Sequence, residues 1–255
     1  MMLDPASKYL PVHFSNLKHF AQCAAKYQYA CLHPSEDTRD FRIGRAFHSL
    51  VLGGKRVVCY EGRRDERSKD WQAFSQEHAH DEILIASEFS VATAMAESVL
   101  NHDTARKLLE RCIKKEVTVE GTQLGLPCEG RVDGLGDAVI VELKSDSVAQ
   151  PDRWQRRAQF LGYAAQLDWY RTLLGDLGEE CFAIVSEKSP PHLVVVHHAT
   201  PRLLEEGRRC WRLWIEQLKG CIESDVWPGY AESIVEWDAS EFEMGESIGF
   251  EEDAA

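Results

Sequence analysis

The stretch RVDGLGDAVIVELK, residues 131–144, constrains the fold more than any other part of the chain. Its second half, AVIVELK, is apolar until its polar end, as is typical of a strand buried inside a sheet. A Gly-Leu-Gly-Asp turn joins it to the extended segment before it, and this pattern predicts a β-hairpin. The chain is therefore expected to fold around a sheet that contains residues 138–145.

The elements on either side of this hairpin predict an α/β fold. The predicted strands lie at 116–121, 126–134, 138–145, 181–188 and 192–199. The predicted helices lie at 13–32, 40–53, 68–80, 87–102, 103–113, 152–174 and 201–224. This order predicts a mixed sheet of about five strands flanked by helices.

Most of the negative charge of the chain lies near its C-terminus. The formal net charge is −13, but residues 220–255 hold eleven acidic residues and no Lys or Arg. The remainder is nearly neutral, with 31 acidic and 29 basic residues, so the total charge does not exclude DNA as a partner. Residues 1–228 are predicted to form one domain, and 229–255 a flexible acidic tail that docks on a partner or competes with DNA.

Polar side chains end the two strands of the hairpin. Strand side chains alternate between faces, so Glu142 and Lys144 are expected on one side and Leu143 on the other. The hairpin brings Asp133 beside the same end. Two carboxylates and an amine at this place can hold a hard cation beside a water, although a surface hairpin with a salt bridge explains the same residues.

A second group of polar residues recurs along the predicted helix 152–174. Gln159, Tyr163, Gln166 and Tyr170 are spaced to share one face. Tyrosines that pack on the sheet are the ordinary explanation, but two glutamines on a core-facing stripe need hydrogen-bond partners. A polar stripe that reaches the metal pocket and the DNA backbone is the functional interpretation. His48, alone on an apolar helix, is more often structural than a ligand.

Several segments together resemble the PD-(D/E)-x-K nuclease superfamily, and within it the exodeoxyribonuclease VIII-like group of phages and prophages. They are GRAFHSLVL, SKDWQAF, HDTARKLLE, GLPCEGRVDGL, VELK and GYAAQLDWY, and they span roughly residues 12–175. The resemblance implies a restriction-endonuclease-like core. Residues 1–228 are accordingly expected to be a PD-(D/E)-x-K nuclease domain.

The resemblance also implies roles for single residues. His48, Asp133, Glu142 and the Leu143 carbonyl would bind Mg²⁺, or Mn²⁺ in its place. The catalytic residues would be Lys144, Glu142, Asp133, Gln166 and Tyr170.

The remaining implied site residues lie around this group. Gln166 and Tyr170 match the Gln-x-x-x-Tyr motif of the family, and Gln159 with Tyr163 is the alternative register. Arg131, Tyr163 and Gln159 are candidates for contacts with the substrate. Glu116 and Glu120 are reserve carboxylates, and Asp146 follows the lysine where the family run is Thr-rich.

The activity that the resemblance implies is ATP-independent exonuclease digestion of linear double-stranded DNA. It would proceed from the 5′ end and leave a 3′ single strand for an annealing or recombinase protein, and the enzyme would be a ring-shaped trimer or tetramer. A single-strand or structure-specific nuclease, an endonuclease, and an inactive DNA-binding protein on the same fold remain alternatives.

Location and cofactor content follow from simpler features. No run of about 18 apolar residues predicts a membrane span, and the N-terminus lacks a secretion signal, so the cytoplasm of a bacterial cell is expected. The eight cysteines form no C-x-x-C pair. Cys181, Cys210 and Cys221 are too far apart for the iron–sulfur cluster of some related nucleases, and none is expected.

Overall fold

A computed structural model describes residues 8–33, 35–175 and 180–236 of the chain. Its strands are β1 (Val12–His13), β2 (Val57–Tyr60), β3 (Glu82–Ile85), β4 (Lys114–Gln123), β5 (Leu126–Leu135), β6 (Val139–Asp146), β7 (Glu180–Glu187) and β8 (Val194–Ala199). Its helices are α1 (Phe14–Leu17), α2 (Ala24–Leu32), α3 (Arg39–Leu52), α4 (Lys69–Glu77), α5 (Ala86–Asn101), α6 (Asp103–Arg111), α7 (Pro151–Phe160), α8 (Tyr163–Leu173) and α9 (Pro201–Ser224). The tail residues Trp237, Phe242 and Phe250 lie outside the described part.

The predicted hairpin lies at the centre of a six-stranded mixed sheet. Strands β1, β5, β6, β7 and β8 follow one another in space, and β4 pairs with β5. The β6–β7 pair is parallel, whereas the β4–β5, β5–β6 and β7–β8 pairs are antiparallel. The α/β class and the mixed sheet are confirmed, with one more strand than predicted.

The two hairpin strands part soon after their turn. Strands β5 and β6 are paired at Gly134↔Val141 and Leu135↔Ile140, and beyond this point β5 pairs instead with β1, at Val12↔Cys128 and His13↔Glu129. The sheet therefore has an opening between β5 and β6, next to Asp133 and Leu143.

Helices cover both faces of the sheet. On one face, α3, α5 and α6 pack with Val141, Leu143 and Ile184 in one buried cluster. On the other face, α1, α2, α8 and α9 pack with Ile140 and Val132 in a second cluster. Since β6 alternates, Glu142 and Lys144 point to the α8 side, as Ile140 does.

The prediction of a single helix at 152–174 is wrong, because this segment forms two helices. Helix α7 ends at Phe160 and α8 begins at Tyr163. Gly162 between them has a φ of 75°, a left-handed conformation that a glycine adopts at no steric cost. Gln159 therefore does not continue the face formed by Tyr163, Gln166 and Tyr170.

Two other segments also differ from the expectation. Residues 13–32 are not one helix but β1, α1, a 3₁₀ turn at Lys18–Ala21, and α2. The small parallel sheet of β2 and β3 was not predicted, because four-residue apolar runs do not distinguish a strand from a helix. In the part of the chain that is described, no helix has both the length and the apolar character to cross a membrane.

Candidate active site

The opening between β5 and β6 is crossed by hydrogen bonds from both strands. The Leu143 N–H donates to Oδ2 of Asp133 at 2.8 Å, and the Asp133 N–H donates to Oε1 of Glu142 at 3.3 Å. Within a strand, the N–H and C=O of one residue point to the same side, so the Leu143 carbonyl also faces the opening. Two carboxylates and a carbonyl oxygen are thus brought to one place.

Helix α3 adds an imidazole to this group. Nδ1 of His48 lies 3.2 Å from Oδ1 of Asp133. Since α3 and α8 cover opposite faces, His48 and Asp133 approach from one side of the sheet and Lys144 from the other. They meet at the opening, where β5 and β6 no longer pair.

Lys144 connects Glu142 to helix α8. Its Nζ donates to Oε2 of Glu142 at 3.0 Å and to Oε1 of Gln166 at 2.9 Å. The same ammonium lies 4.8 Å from the centre of the Tyr163 ring, within the range of a cation–π contact. Two hydrogen bonds and a ring therefore fix the position of the amine.

Gln166 is in turn held by Tyr170, one turn further along α8. Its Nε2 donates to the Tyr170 hydroxyl at 3.0 Å. The Tyr170 ring packs on Gly130 of β5, where an added Cβ would lie 2.6 Å from a ring carbon. Glycine at position 130 is what lets α8 come this close to the sheet.

Burial and mutual repulsion set the protonation of the carboxylates. Asp133 and Glu142 are 6% and 2% exposed. Burial and the nearby charge of Asp133 raise the pKa of Glu142. Burial also disfavours the charged form of Asp133, but the His48 ring and Lys144 outweigh this effect, and the pKa of Asp133 is lowered.

The two basic groups have raised pKa values. Burial alone would lower the pKa of His48, but the charge of Asp133 raises it above its ordinary value. Burial opposes the charge of Lys144 in the same way, and Glu142 and Asp133 together raise its pKa. Lys144 is therefore an ammonium group at neutral pH.

The donor set fits a small hard cation. Oxygen ligands at 2.0–2.1 Å in octahedral geometry put neighbouring ligand atoms about 3 Å apart. Oδ1 of Asp133 and Nδ1 of His48 are 3.2 Å apart, close to that separation. Among the described residues, the side chains of His, Cys, Asp and Glu form no group of three or more that could hold a metal ion by itself, so a cation here would also need the Leu143 carbonyl and water as ligands.

Four of the other residues considered from the sequence have partners of their own. Arg131 is 3.3 Å from Glu116, which has a φ of 51° and stands between Lys115 and Val117, the residues of β4 that pair with Gly134 and Val132 on either side of Asp133. Glu120 is in register with Glu129, away from the opening. Asp146 is buried and lies 3.1 Å from Arg157, so a separate partner balances its charge.

Gln159 is exposed at the end of α7. It lines the same cavity as Lys144 and Gln166. The geometry thus associates Gln166 directly with the lysine and Tyr170 with it through Gln166, whereas Gln159 lies at the cavity wall.

Lys18 was not singled out from the sequence. Burial lowers the pKa of its amine, and the positive charge of Lys144 lowers it further, so the two amines lie near each other. Lys18 is in the 3₁₀ turn after α1, a segment predicted as a plain helix face, and no local pattern distinguishes it from a solvated lysine.

The chain matches one family model and has the same fold as one solved structure. A model described as a PDDEXK-like domain of unknown function (DUF3799) matches residues 13–238. A candidate exonuclease from Eubacterium rectale superposes with a TM-score of 0.63 at 14% identity, over 97% of this chain and 100% of that one. No curated protein matches the chain.

Weaker similarity extends to an alkaline exonuclease, LHK-Exo, from Laribacter hongkongensis. Its structure gives a TM-score of 0.31 at 17% identity, over 73% of this chain and 95% of that one. The structure of LHK-Exo in complex with dAMP gives a TM-score of 0.33 at 16% identity, with the same coverage.

Proposed function

The chain belongs to this family of PDDEXK-like domains, and on that premise we propose that it is a Mg²⁺-dependent exonuclease that hydrolyses linear double-stranded DNA. Digestion would run from the 5′ end and leave a 3′ single strand for recombination. The structurally similar protein from Eubacterium rectale is described as a candidate exonuclease, and the proposal extends that type of reaction to this chain.

The observation that carries the proposal is the position of Lys144. Its ammonium is hydrogen-bonded to Glu142 and Gln166, next to the opening that holds Asp133. A structural salt bridge needs only the first of these contacts. An amine fixed by an amide from a separate helix, beside two buried carboxylates, suits metal-assisted phosphodiester hydrolysis, because carboxylates can hold a cation and an ammonium can stabilise charge on the phosphate.

Asp133, Glu142, the Leu143 carbonyl and His48 would hold the metal. Bound there, Mg²⁺ or Mn²⁺ would supply Lewis-acid chemistry, lowering the pKa of a water and neutralising charge on the scissile phosphate. Its binding would also relieve the repulsion that raises the pKa of Glu142. Metal binding would therefore favour the ionised form of Glu142, and ionised Glu142 would favour metal binding.

Lys144 acts as a fixed donor to the reacting phosphate or the attacking water. Because Glu142 and Asp133 keep it charged, it stabilises the negative charge that develops on phosphate oxygens. Gln166 and Tyr170 are positioning residues, since Gln166 holds the lysine and Tyr170 holds Gln166.

Basic residues near the site are the proposed contacts for the DNA backbone. Arg153 and Arg156 are exposed on α7, the helix that carries Gln159. The charge of Lys144 lowers the pKa of Lys18, which adds a further basic residue to this region. Together with Arg131 on β5, these side chains would attract phosphates to a chain whose net charge is otherwise negative.

The assembly and partners are part of the same proposal. A ring-shaped trimer or tetramer would tether the duplex by enclosing it, so that each subunit would need few phosphate contacts. An annealing or recombinase protein would receive the 3′ strand. Mass measurement of the purified protein, with and without DNA, tests the subunit number.

Digestion of labelled DNA tests the activity. Linear duplex with a 5′ or a 3′ label, and closed circular duplex, are incubated with Mg²⁺, and the same reactions are repeated with EDTA. We expect metal-dependent release of the 5′ label from linear DNA and no cutting of the circle. Nicking of the circle would favour an endonuclease, and digestion of single strands alone would favour a single-strand nuclease.

Folded but inactive protein would favour a DNA-binding role. To separate these outcomes, the same assays are run with Asp133→Asn, which keeps the shape of the side chain and removes its charge. If Asp133→Asn digests DNA as fast as the unmodified protein, the assigned site is wrong.

A further inference from the structure

A cavity of about 280 Å³ lies directly beside Lys144. Helices α7 and α8 and the start of α9 line it together with strands β6, β7 and β8, and Glu142 and Lys144 are among the lining residues. Anything that occupies this cavity is in contact with the residues that would bind the reacting phosphate.

The walls of the cavity are apolar and partly aromatic. Ala158 on α7 and Ala183 and Ala199 on the sheet give it small side chains on both walls. The Trp154 ring stacks on His197 with centroids 4.2 Å apart and an angle of 22°, and it lies 6.1 Å from the Tyr163 ring. Small residues combined with planar rings leave space suited to a flat, aromatic group.

Glu142 and Lys144 are the only Asp, Glu, Lys or Arg residues among the described residues that line the cavity. Burial lowers the pKa of His197, which favours its neutral form. A phosphate site would require further cations. Gln155 and Gln159 line the cavity and are exposed, and an amide offers both a donor and an acceptor.

We propose that this cavity is a nucleobase subsite, which receives the base of the nucleotide adjoining the scissile phosphate and packs it against the stacked Trp154–His197 pair and the Tyr163 ring, with Gln159 contacting its edge. The inference rests on the proposed function, because the base reaches the cavity only if the phosphate attached to its nucleotide is bound at Lys144. A base inside a duplex cannot enter such a cavity, so this nucleotide is unpaired and unstacked when it is cleaved.

Binding measurements on the full chain test the subsite without relying on hydrolysis. Thymidine 5′-monophosphate and 2-deoxyribose 5-phosphate differ only by the base, and their affinities are compared by calorimetry in the presence of Mg²⁺. Since stacking of one base on aromatic side chains corresponds to a change of about 5- to 100-fold in affinity, we expect the nucleotide to bind about tenfold more tightly or better.

Two substitutions locate the effect in the cavity. Ala158→Phe fills the space and is expected to make the two affinities equal, whereas Ala73→Phe, at an exposed position of α4, is the matched control and should change nothing. Gln159→Ala, on the exposed end of α7, should weaken the nucleotide by several-fold and leave the sugar phosphate unaffected. If Ala158→Phe does not fold, the Gln159→Ala variant still tests whether the cavity binds the base.

A cleavage experiment then separates this inference from the proposed function. Linear duplex with an abasic residue at the terminal scissile nucleotide should be cleaved about tenfold more slowly than intact duplex. The subsite proposal would be overturned by equal cleavage rates for abasic and intact duplex, by equal affinities for the nucleotide and the sugar phosphate, or by no binding of the nucleotide. Absence of hydrolysis on any DNA would instead contradict the proposed function, and the binding comparison would still decide the subsite.

Discussion

The amine of Lys144 lies 2.9 Å from the side-chain oxygen of Gln166, so a residue of the central strand is positioned by a helix that packs on the sheet. The link continues through Gln166 to the hydroxyl of Tyr170 and through the Tyr170 ring to Gly130 on β5. This series of contacts begins at Lys144 on β6 and returns to the sheet at Gly130 on β5. Its consequence is that the position of the lysine depends on how closely α8 approaches the strands.

The first prediction concerns this positioning. Lys144→Ala should lower kcat by about 10²–10³-fold, as loss of a donor to transition-state charge does. Gln166→Ala should lower kcat by about 10–100-fold and leave KM nearly unchanged, because the lysine remains but is no longer fixed. Gln217→Ala, an exposed residue of α9, is the control.

The double variant tells the two roles apart. If Gln166 acts through Lys144, then Gln166→Ala should add little to the loss in a Lys144→Ala background. Steady-state kinetics on linear duplex measure all four proteins. If the fold-losses in kcat of the two single variants multiply in the double variant, Gln166 does not act through the lysine.

Much of this site could be predicted from the sequence, because strand alternation and a hairpin turn are local. The positions of Glu142, Leu143 and Lys144 on β6 follow from a period of two, and the nearby turn places Asp133 opposite Glu142. The resemblance to known nucleases added His48 and the choice of Gln166.

The opening in the sheet could not be predicted in the same way. It exists because Val12 and His13 pair with residues more than 100 positions away and take the place of β6 beside β5. Two residues carry no periodic pattern, so no strand is predicted there, and His13 was predicted as the start of a helix instead. The break at Gly162 was missed because the polar spacing continues across it, and Lys18 was missed with the turn that contains it.

A second prediction concerns metal binding, with a readout other than activity. Mg²⁺ or Mn²⁺ should raise the melting temperature of the protein, since a ligand at 100 times its Kd adds about 2.7 kcal/mol to the free energy of unfolding. Asp133→Asn should abolish this increase, and His48→Gln should reduce it. Asp103→Asn, at an exposed position, should leave it intact. An equal metal-induced shift in Asp133→Asn would remove Asp133 from the ligand set.

A third prediction concerns the close approach of α8 to β5. Gly130→Ala places a Cβ 2.6 Å from the Tyr170 ring, and overpacking of this kind costs about 1–3 kcal/mol. The ring must move, so its hydrogen bond to Gln166 is lost and kcat falls as well. Thermal unfolding and steady-state kinetics measure the two effects.

Gly220→Ala is the matched control for this substitution. An added Cβ there meets no atom within 4 Å, and alanine favours the helix, so the protein should gain up to about 1 kcal/mol. Unchanged stability and activity in Gly130→Ala would show that the ring has room to adjust, and that the approach of α8 does not depend on the glycine.

The last prediction concerns the pH dependence of stability. Glu88 is 1% exposed, and its carboxylate lies 2.6 Å from Arg42 on α3 and 3.2 Å from Arg64. Burial alone would raise the pKa of Glu88, but the hydrogen bond from Arg42 and that from the Ile85 N–H outweigh it, and the pKa is lowered. A carboxyl with a lowered pKa stabilises the folded state fully above the unfolded-state value of about 4.3, and this contribution is lost as the pH falls through the folded-state pKa.

Glu88→Gln should therefore cost about 3 kcal/mol at pH 7, because it leaves two arginines without their buried partner. The difference in free energy of unfolding between the two proteins, measured by urea denaturation, should stay constant above about pH 5 and shrink in acid as Glu88 of the unmodified protein becomes protonated. Glu110→Gln, which removes an exposed pair with Arg106 on α6, should change stability only slightly at any pH. A difference that is absent at pH 7, or that does not shrink as the pH is lowered to acid unfolding, would contradict the role of Glu88 in holding α3, and with it His48, against the rest of the fold.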